Sequence, residues 1–205
     1  MTSLRWPPRD SRTFGMFTTF TFTRICAHVI TLPVHTVLNR WSSLPIGYWS
    51  VPSNVSVSPY IPGAWPYIQR AVGWARKHGL HTIIDLHGAP GSQNGYDNSG
   101  QRTGSPRWAL QSENVDATLA IIQVIASELG PMIDAIELLN EVAGFFGEAW
   151  DTAVRGYWKR GYEVVRQTAG DDILVVIGDA FEGVNVRAVA AEYQVPRSKL
   201  TYSPV

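Results

Sequence analysis

Two short segments carry residues of the types and spacings that do chemistry. The first reads DLHGAPGSQNGYDNSG, from Asp85 to Gly100. There the apolar run His81-Thr82-Ile83-Ile84 gives way to sixteen residues dominated by Gly, Asn, Asp and Ser. The second is Asn140-Glu141, which closes the apolar run Ile133–Leu139 about forty residues later. Turn-rich loops loaded with hydrogen-bonding groups at the C-terminal ends of buried strands build polar sites. A ligand rich in hydroxyl groups suits such donors and acceptors.

Glu141 is the leading catalytic candidate. A carboxyl group at a strand mouth, beside apolar residues such as Phe145 and Phe146, is expected to have its charged form disfavoured. The raised pKa that results is what a general acid near neutral pH requires. Asn140 can donate one hydrogen bond and accept another, which matches a sugar hydroxyl. Glu137 shares strand parity with Glu141 but lies deep in the apolar run, so an ion pair is expected to accompany it. Asp85 and His87 also share parity. Asp-x-His can chelate a metal, yet no further His follows position 87, and a catalytic zinc usually takes three protein ligands. The other role for His87 is that of a neutral hydrogen-bonding group in a polar ligand site. Tyr96, Asp97 and Asn98 either line that site or close the loop through Asx turns.

The elements that must hold these residues alternate. Leu44 to Trp49 reads as the end of a strand that runs into a loop rich in Pro and Ser. Trp65, Ile68, Val72 and Ala75 recur at helical spacing before a stop at Gly79. A strand at 81–86 precedes the polar loop. A second helix carries Val115, Leu119, Ile122, Ala126 and Leu129, and Gly130-Pro131 ends it. A strand at 133–139 leads to a third helix with Trp150, Val154, Trp158, Tyr162 and Val165 on one stripe. Ile173–Gly178 is a further strand. This β/α rhythm means parallel strands with covering helices. An eight-fold barrel and a doubly wound open sheet both fit. The long, chemically varied loops after successive strands, with no GxGxxG or P-loop pattern, favour the barrel. With four strands, or five if one lies within 14–40, the expected fold is a partial (β/α)8 barrel, roughly its first half. The expected organisation is an atypical segment at 1–43, the barrel domain at 44–184 and an atypical tail at 185–205.

Composition narrows the partners. The chain has 205 residues, 45% hydrophobic and 17% charged, so it is globular and large enough for one substantial core. Eight Trp and eight Tyr supply flat faces that fill cores or stack on sugar rings. Only Asp10 of the acidic residues precedes position 85, where eight Lys and Arg stand. Those basic residues are scattered without aromatic interleaving, which argues against a nucleic-acid partner. The single cysteine, Cys26, excludes an internal disulfide framework. The run Phe14–Val34 holds Arg24, His28 and Pro33, so it is not read as a membrane span. Trp6-Pro7-Pro8-Arg9-Asp10 interrupts any signal-peptide core.

At 85–100, at LLNE (138–141), at PIGYW (45–49) and at GDAF (178–181) the chain resembles the fungal exo-β-1,3-glucanases of glycoside hydrolase family 5. The resemblance covers about residues 44–184. It implies an eight-fold barrel that releases glucose from β-1,3-glucan with retention of configuration. It further implies Glu141 as acid/base, sugar contacts from Asn140, His87 and Asn98, and Tyr96 at an aromatic subsite usually held by Phe. No cofactor is implied. The expected partner is a β-1,3-glucan or related oligosaccharide, with no nucleic acid or membrane, and the protein is expected to be a monomer that acts outside the cell or in the cell wall. Three departures stand out: Ser43 replaces the usual Arg, Val142 replaces the usual Pro, and the nucleophile lies on a later strand. These departures lead to the expectation of a truncated or mis-assembled chain that catalyses poorly alone. The alternatives are a glucan-binding remnant without catalysis and a different, metal-dependent barrel enzyme.

Overall fold

The computed structural model describes residues 41–57, 59–181, 191 and 200–203. The Thr-Phe alternation near 18–23 and the helical pattern of Val186, Val189, Ala190 and Tyr193 lie outside the described residues. Five parallel strands pair in chain order: β1 (Trp41–Gly47), β2 (His81–Gly88), β3 (Ala135–Glu137), β4 (Leu174–Gly178) and β5 (Leu200–Ser203). Helices α1 (Trp65–Lys77), α2 (Ser112–Leu129) and α3 (Glu148–Ala169) join the first four. A doubly wound sheet reverses its strand order at a switch point, whereas a barrel runs in sequence. The sequential order therefore selects the barrel, and the chain forms a part of one.

Strand parity sorts the side chains onto two faces. Ile84, Leu86, Ile136, Leu138, Val175 and Ile177 join the main core beneath the helices. Ile83, Ala135 and Val176 form a smaller cluster on the opposite face, with Trp41 and Leu174 against it. That second face is the barrel interior. Asp85 and His87 follow Ile83 at period two, and Glu137 follows Ala135, so all three belong to it.

Each helix forms for a legible reason. α1 has Pro66 in its first turn and Arg76 and Lys77 in its last, which suits the helix dipole. Its buried residues are Trp65, Val72 and Ala75, and the indole of Trp65 donates to Glu128 Oε2 at 2.7 Å, fastening it to α2. α2 is apolar enough to cross a membrane by length and composition. Its Leu119, Ile121, Ile122, Ile125 and Leu129 are nevertheless packed into the core. α3 buries Trp150, Val154, Tyr157, Trp158 and Val165, and its Tyr157 hydroxyl donates to the carbonyl of Leu138 at 2.6 Å.

Two elements differ from the sequence-based expectation. β3 spans three residues rather than seven, because its regular ladder is short. Single bonds extend the pairing on either side: Asp134 N–H to Thr82 O at 3.0 Å and Asn140 N–H to Leu86 O at 2.9 Å. β5 lies in the segment set apart as an atypical tail. It pairs with β4 from Val175–Leu200 to Gly178–Ser203, which makes it the sheet's fifth strand. Four residues are too few to show a period against a weak helical pattern nearby.

Tyr157 joins core packing to the loop that carries Glu141. Replacing Tyr157 with Phe leaves the Leu138 carbonyl without its partner in a dry site. The expected outcome is a loss of about 1–2 kcal/mol in stability, read as a lower urea midpoint with an unchanged m-value.

Candidate functional site

The polar loop after β2 is folded by its own side chains. Ser92, in the left-handed region at φ 64°, places its hydroxyl 2.6 Å from Ser99 Oγ, and it accepts the Gly95 N–H at 2.8 Å. Ser99 Oγ donates to Tyr96 O at 2.7 Å. Tyr96 N–H in turn donates to Asn94 Oδ1 at 2.8 Å, an Asx turn. The loop's far end rests on an aromatic plate. Trp49 stacks on Tyr60 with centroids 4.0 Å apart, and the Tyr60 hydroxyl donates to Gly100 O at 2.6 Å. A Cβ on Gly100, which has φ +87°, would stand 2.5 Å from the Trp49 ring, and one on Gly88 2.6 Å from Ser99 O. Both positions need glycine for close approach.

This loop then holds the end of β3. Gln93 is fully buried. Its Nε2 donates to the carbonyls of His87 and Asn140, each at 3.0 Å, while its Oε1 accepts the Ala89 N–H at 3.2 Å. Ala143 N–H donates to Gln93 O at 3.2 Å. Asn94 Nδ2 donates to Glu141 O at 3.0 Å. Glu141 has φ 48°, a left-handed conformation that costs a side-chain-bearing residue about 1–2 kcal/mol. The bonds from Gln93 and Asn94 to consecutive carbonyls hold it there.

The expected site residues converge with one partial exception. Asn98 Nδ2 donates to Glu141 Oε2 in a short contact. Asn140 Nδ2 lies 3.4 Å from His87 Nε2, and His87 Nδ1 lies 2.7 Å from Asp85 Oδ2. The pairs His87–Asn140 and Asn98–Glu141, joined through the Asn140–Glu141 peptide, thus cluster across the mouths of β2 and β3. Tyr96 is 45% exposed and meets Phe181 edge-on at 6.2 Å, at the rim and outside that hydrogen-bonded cluster. Phe145 and Phe146 are also exposed, and Phe145 packs on Phe146 at 4.8 Å and on Phe181 at 6.0 Å. Gln93 and Asn94 are the residues that sequence patterns do not distinguish. Their one signal is an uncharged amide pair between two glycines, which equally marks an ordinary turn.

Electrostatics divide the carboxyl groups. Burial pushes Glu137 well above the ordinary 4.5, and the neighbouring charges of Asp85 and Glu141 push it further. No ion pair among the described residues reaches it. The expected ion pair is absent among the described residues, and burial favours the neutral form of the acid instead. Burial also raises Asp85, although the hydrogen bond and charge of His87 pull against it. For His87, burial favours the neutral ring, but the bond and charge of Asp85, with the charge of Glu141, outweigh it and raise the pKa above 6.5. Among the described residues no group of three His, Cys, Asp or Glu is arranged to hold a metal ion. Asp85 and His87, the pair that might have chelated one, bond to each other.

Two expected outcomes follow from this geometry. Gln93→Leu keeps the volume but strips two buried carbonyls and one N–H of their partner. It should lower stability by about 2–4 kcal/mol, measured by denaturant unfolding. Burial and the neighbouring charges favour a proton on Glu137 in the folded state, which the unfolded chain releases above about 4.5. Its contribution is full below that pH and is lost as pH rises towards the folded value. Glu137→Gln should remove that fall, leaving stability nearly unchanged in acid and raising it by about 1–3 kcal/mol at neutral pH. Thermal melts across pH check the sign.

Comparison with known proteins places the chain. A family model described as Cellulase (glycosyl hydrolase family 5) matches residues 51–204. The chain is 45% identical over 141 residues to a glucan 1,3-beta-glucosidase of Blumeria graminis, covering 67% of this chain and 32% of that protein. It is 43% identical over 143 residues to a probable glucan 1,3-beta-glucosidase A of Aspergillus fumigatus, covering 67% and 33%. The chain thus spans about a third of the length of these curated relatives. In fold it resembles the rutinosidase from Aspergillus niger, with a TM-score of 0.66 at 18% identity, over 80% of this chain and 49% of that one. A family 5 xyloglucanase from Paenibacillus pabuli gives a TM-score of 0.55 at 20% identity, over 80% and 50%. The match over three-quarters of its length, on a sheet wound as a barrel, makes this chain a member of glycoside hydrolase family 5.

Proposed function

We propose that the chain is the acid/base-bearing section of a retaining exo-β-1,3-glucanase that acts on β-glucan outside the cell or in the cell wall. The observation that carries this reading is the junction of two strand mouths at Glu141. The carboxyl is partly exposed and takes the Asn98 amide, beside the linked pair Asn140 and His87. The hydrogen bond that the Asn98 amide donates to Oε2 leaves Oε1 to carry the proton that goes to the glycosidic oxygen and to take one back from water. Asn140, Asn98 and His87 would bind sugar hydroxyls, and the exposed Tyr96 would stack on a ring. Names of the relatives, each a glucan 1,3-beta-glucosidase, supply the linkage.

Retention requires a second carboxyl about 5–5.5 Å from the first. Asp85 and Glu137 do not suit that role, being buried beneath the mouth with Asp85 committed to His87. By the resemblance, the nucleophile belongs to a later strand than those described.

Two measurements test the proposal. Calorimetry of the 205-residue chain with laminari-oligosaccharides should show binding that Asn140→Ala and His87→Ala weaken about tenfold or more, a loss of about 1.4 kcal/mol. Residues 44–181 grafted into the Blumeria graminis relative should support laminarin cleavage. Glu141→Gln in the graft should cut turnover by about 10²–10⁴-fold. A graft that cleaves equally well with Gln at 141 overturns the assignment.

A further inference from the structure

Two carboxyl groups lie one layer below the site and take no part in the chemistry just described. β2 and β3 pair with Asp85 opposite Glu137, so the two side chains leave the same face of strands about 4.8 Å apart. Both residues are 6% exposed. The row beneath them is apolar, formed by Ile83, Ala135 and Leu174, and Val176 stands beside Glu137 in their own row. Asp85 uses Oδ2 for His87, while Asp85 Oδ1 and Glu137 Oε1 are buried without partners.

Two ionised carboxylates cannot stand side by side in so dry a place, and a single proton between them removes the conflict. The hydrogen bonds decide where it resides. Asp85 has the imidazole as a donor, which favours its charged form. Glu137 has no such donor among the described residues, and a proton on it supplies an O–H where the neighbouring strand offers a buried acceptor without a partner among them, Asp85 Oδ1. The other groups brought towards the pair are His87 on β2, Glu141 after β3 and Asp179 after β4. Asp179 Oδ1 accepts the Phe181 N–H at 3.0 Å. β1 contributes Ser43 and Pro45 on the inward face, and the sequence of β5, LTYS, contains no acidic or basic residue.

We propose that Glu137 and Asp85 form a standing acid–carboxylate pair that positions His87, with the proton held on Glu137 and the charge on Asp85. The carboxylate holds a proton on His87 Nδ1, which leaves Nε2 as the acceptor facing Asn140 Nδ2 at 3.4 Å. Glu137 acts through Asp85 and touches neither His87 nor sugar. Were Glu137 also ionised, a second negative charge would push His87 towards the imidazolium. Its Nε2–H would then face the Asn140 amide donor. The inference rests on the proposed sugar-binding role of His87 for its consequence, but its test needs no sugar.

The test uses the full chain. Histidine labelled with ¹³C reports the His87 titration, assigned by its absence from the His87→Gln spectrum, and infrared spectroscopy reports protonated carboxyl groups. Wild-type protein should show a carboxylic acid carbonyl band at neutral pH that Glu137→Gln abolishes and Asp85→Asn retains. The His87 midpoint should fall by about one unit or more in Asp85→Asn. In Glu137→Gln, which keeps a neutral donor, it should stay in place. Absence of the acid band in wild type overturns the proposal, even where a variant fails to fold. So does a Glu137→Gln variant whose His87 midpoint drops as far as that of Asp85→Asn. A merely structural Asp85 would leave that midpoint unmoved. Failure to bind glucan would sink the proposed function and leave these readings intact, and the converse also holds.

Discussion

The arrangement at the barrel mouth depends on one buried amide. Gln93 gives its two N–H groups to the carbonyls of His87 and Asn140 and takes the N–H of Ala89. Its donors thereby bridge the ends of two strands, at the points where their regular pairing stops. Without this bridge, the carbonyls at the end of β2 and just beyond β3 would be polar groups with no partner, each costing about 1–3 kcal/mol. The amide therefore does two things at once. It allows a dry loop to cover the sheet end, and it sets the separation between His87 on one strand and Asn140 on the next. Asn94 repeats the device one residue further on, at the Glu141 carbonyl, where the backbone is in a conformation that it would not adopt unaided.

Much of the fold was legible because burial imposes period. The stripes of α1, α2 and α3 follow helical spacing, and their buried residues match it closely. In α3, Tyr157 and Gly161 are buried between the expected stripe positions, since a helix lying flat on a sheet hides more than a single row. β2 and β4 show as apolar runs because a parallel sheet is covered on both faces. β3 was read as seven residues because the apolar run continues after its ladder ends. Leu138 and Leu139 are fully buried by α3 and the loops rather than by sheet pairing alone. β5 is four residues beside a weak helical pattern, and nothing local marks it. Its place comes from pairing with β4, which is a non-local fact.

The site was legible to a different depth. His87, Asn140 and Glu141 could be singled out because polar residues at the ends of apolar strands have few structural reasons to be there, whereas Asn98 stood out only through the family resemblance. Gln93 could not, because its role is set by carbonyls that the chain presents only after folding. Glu137 was misjudged for a related reason. A glutamate in an apolar run asks for compensation, and the sequence alone favours a cation as the answer. The register of β2 and β3 supplies a second carboxyl instead, and a proton is the cheaper solution for two adjacent acids in a dry layer.

That choice of proton over cation has a counterpart on β1. Ser43 stands on the inward face, paired with Ile83 one step below the row that holds Pro45, Asp85 and Glu137. An arginine at this position, as the family resemblance leads one to expect, would bring a guanidinium to the same face as the two carboxyls. A fixed positive charge there favours ionisation of both. Serine brings a hydroxyl and no charge, so the interior row keeps a single negative charge at most, and the His87 ring is the group left to hydrogen-bond it. The identity of one residue on the neighbouring strand thus bears on the protonation of a ring two strand positions above the apolar layer. The coupling runs through the barrel interior, where low dielectric makes each charge count.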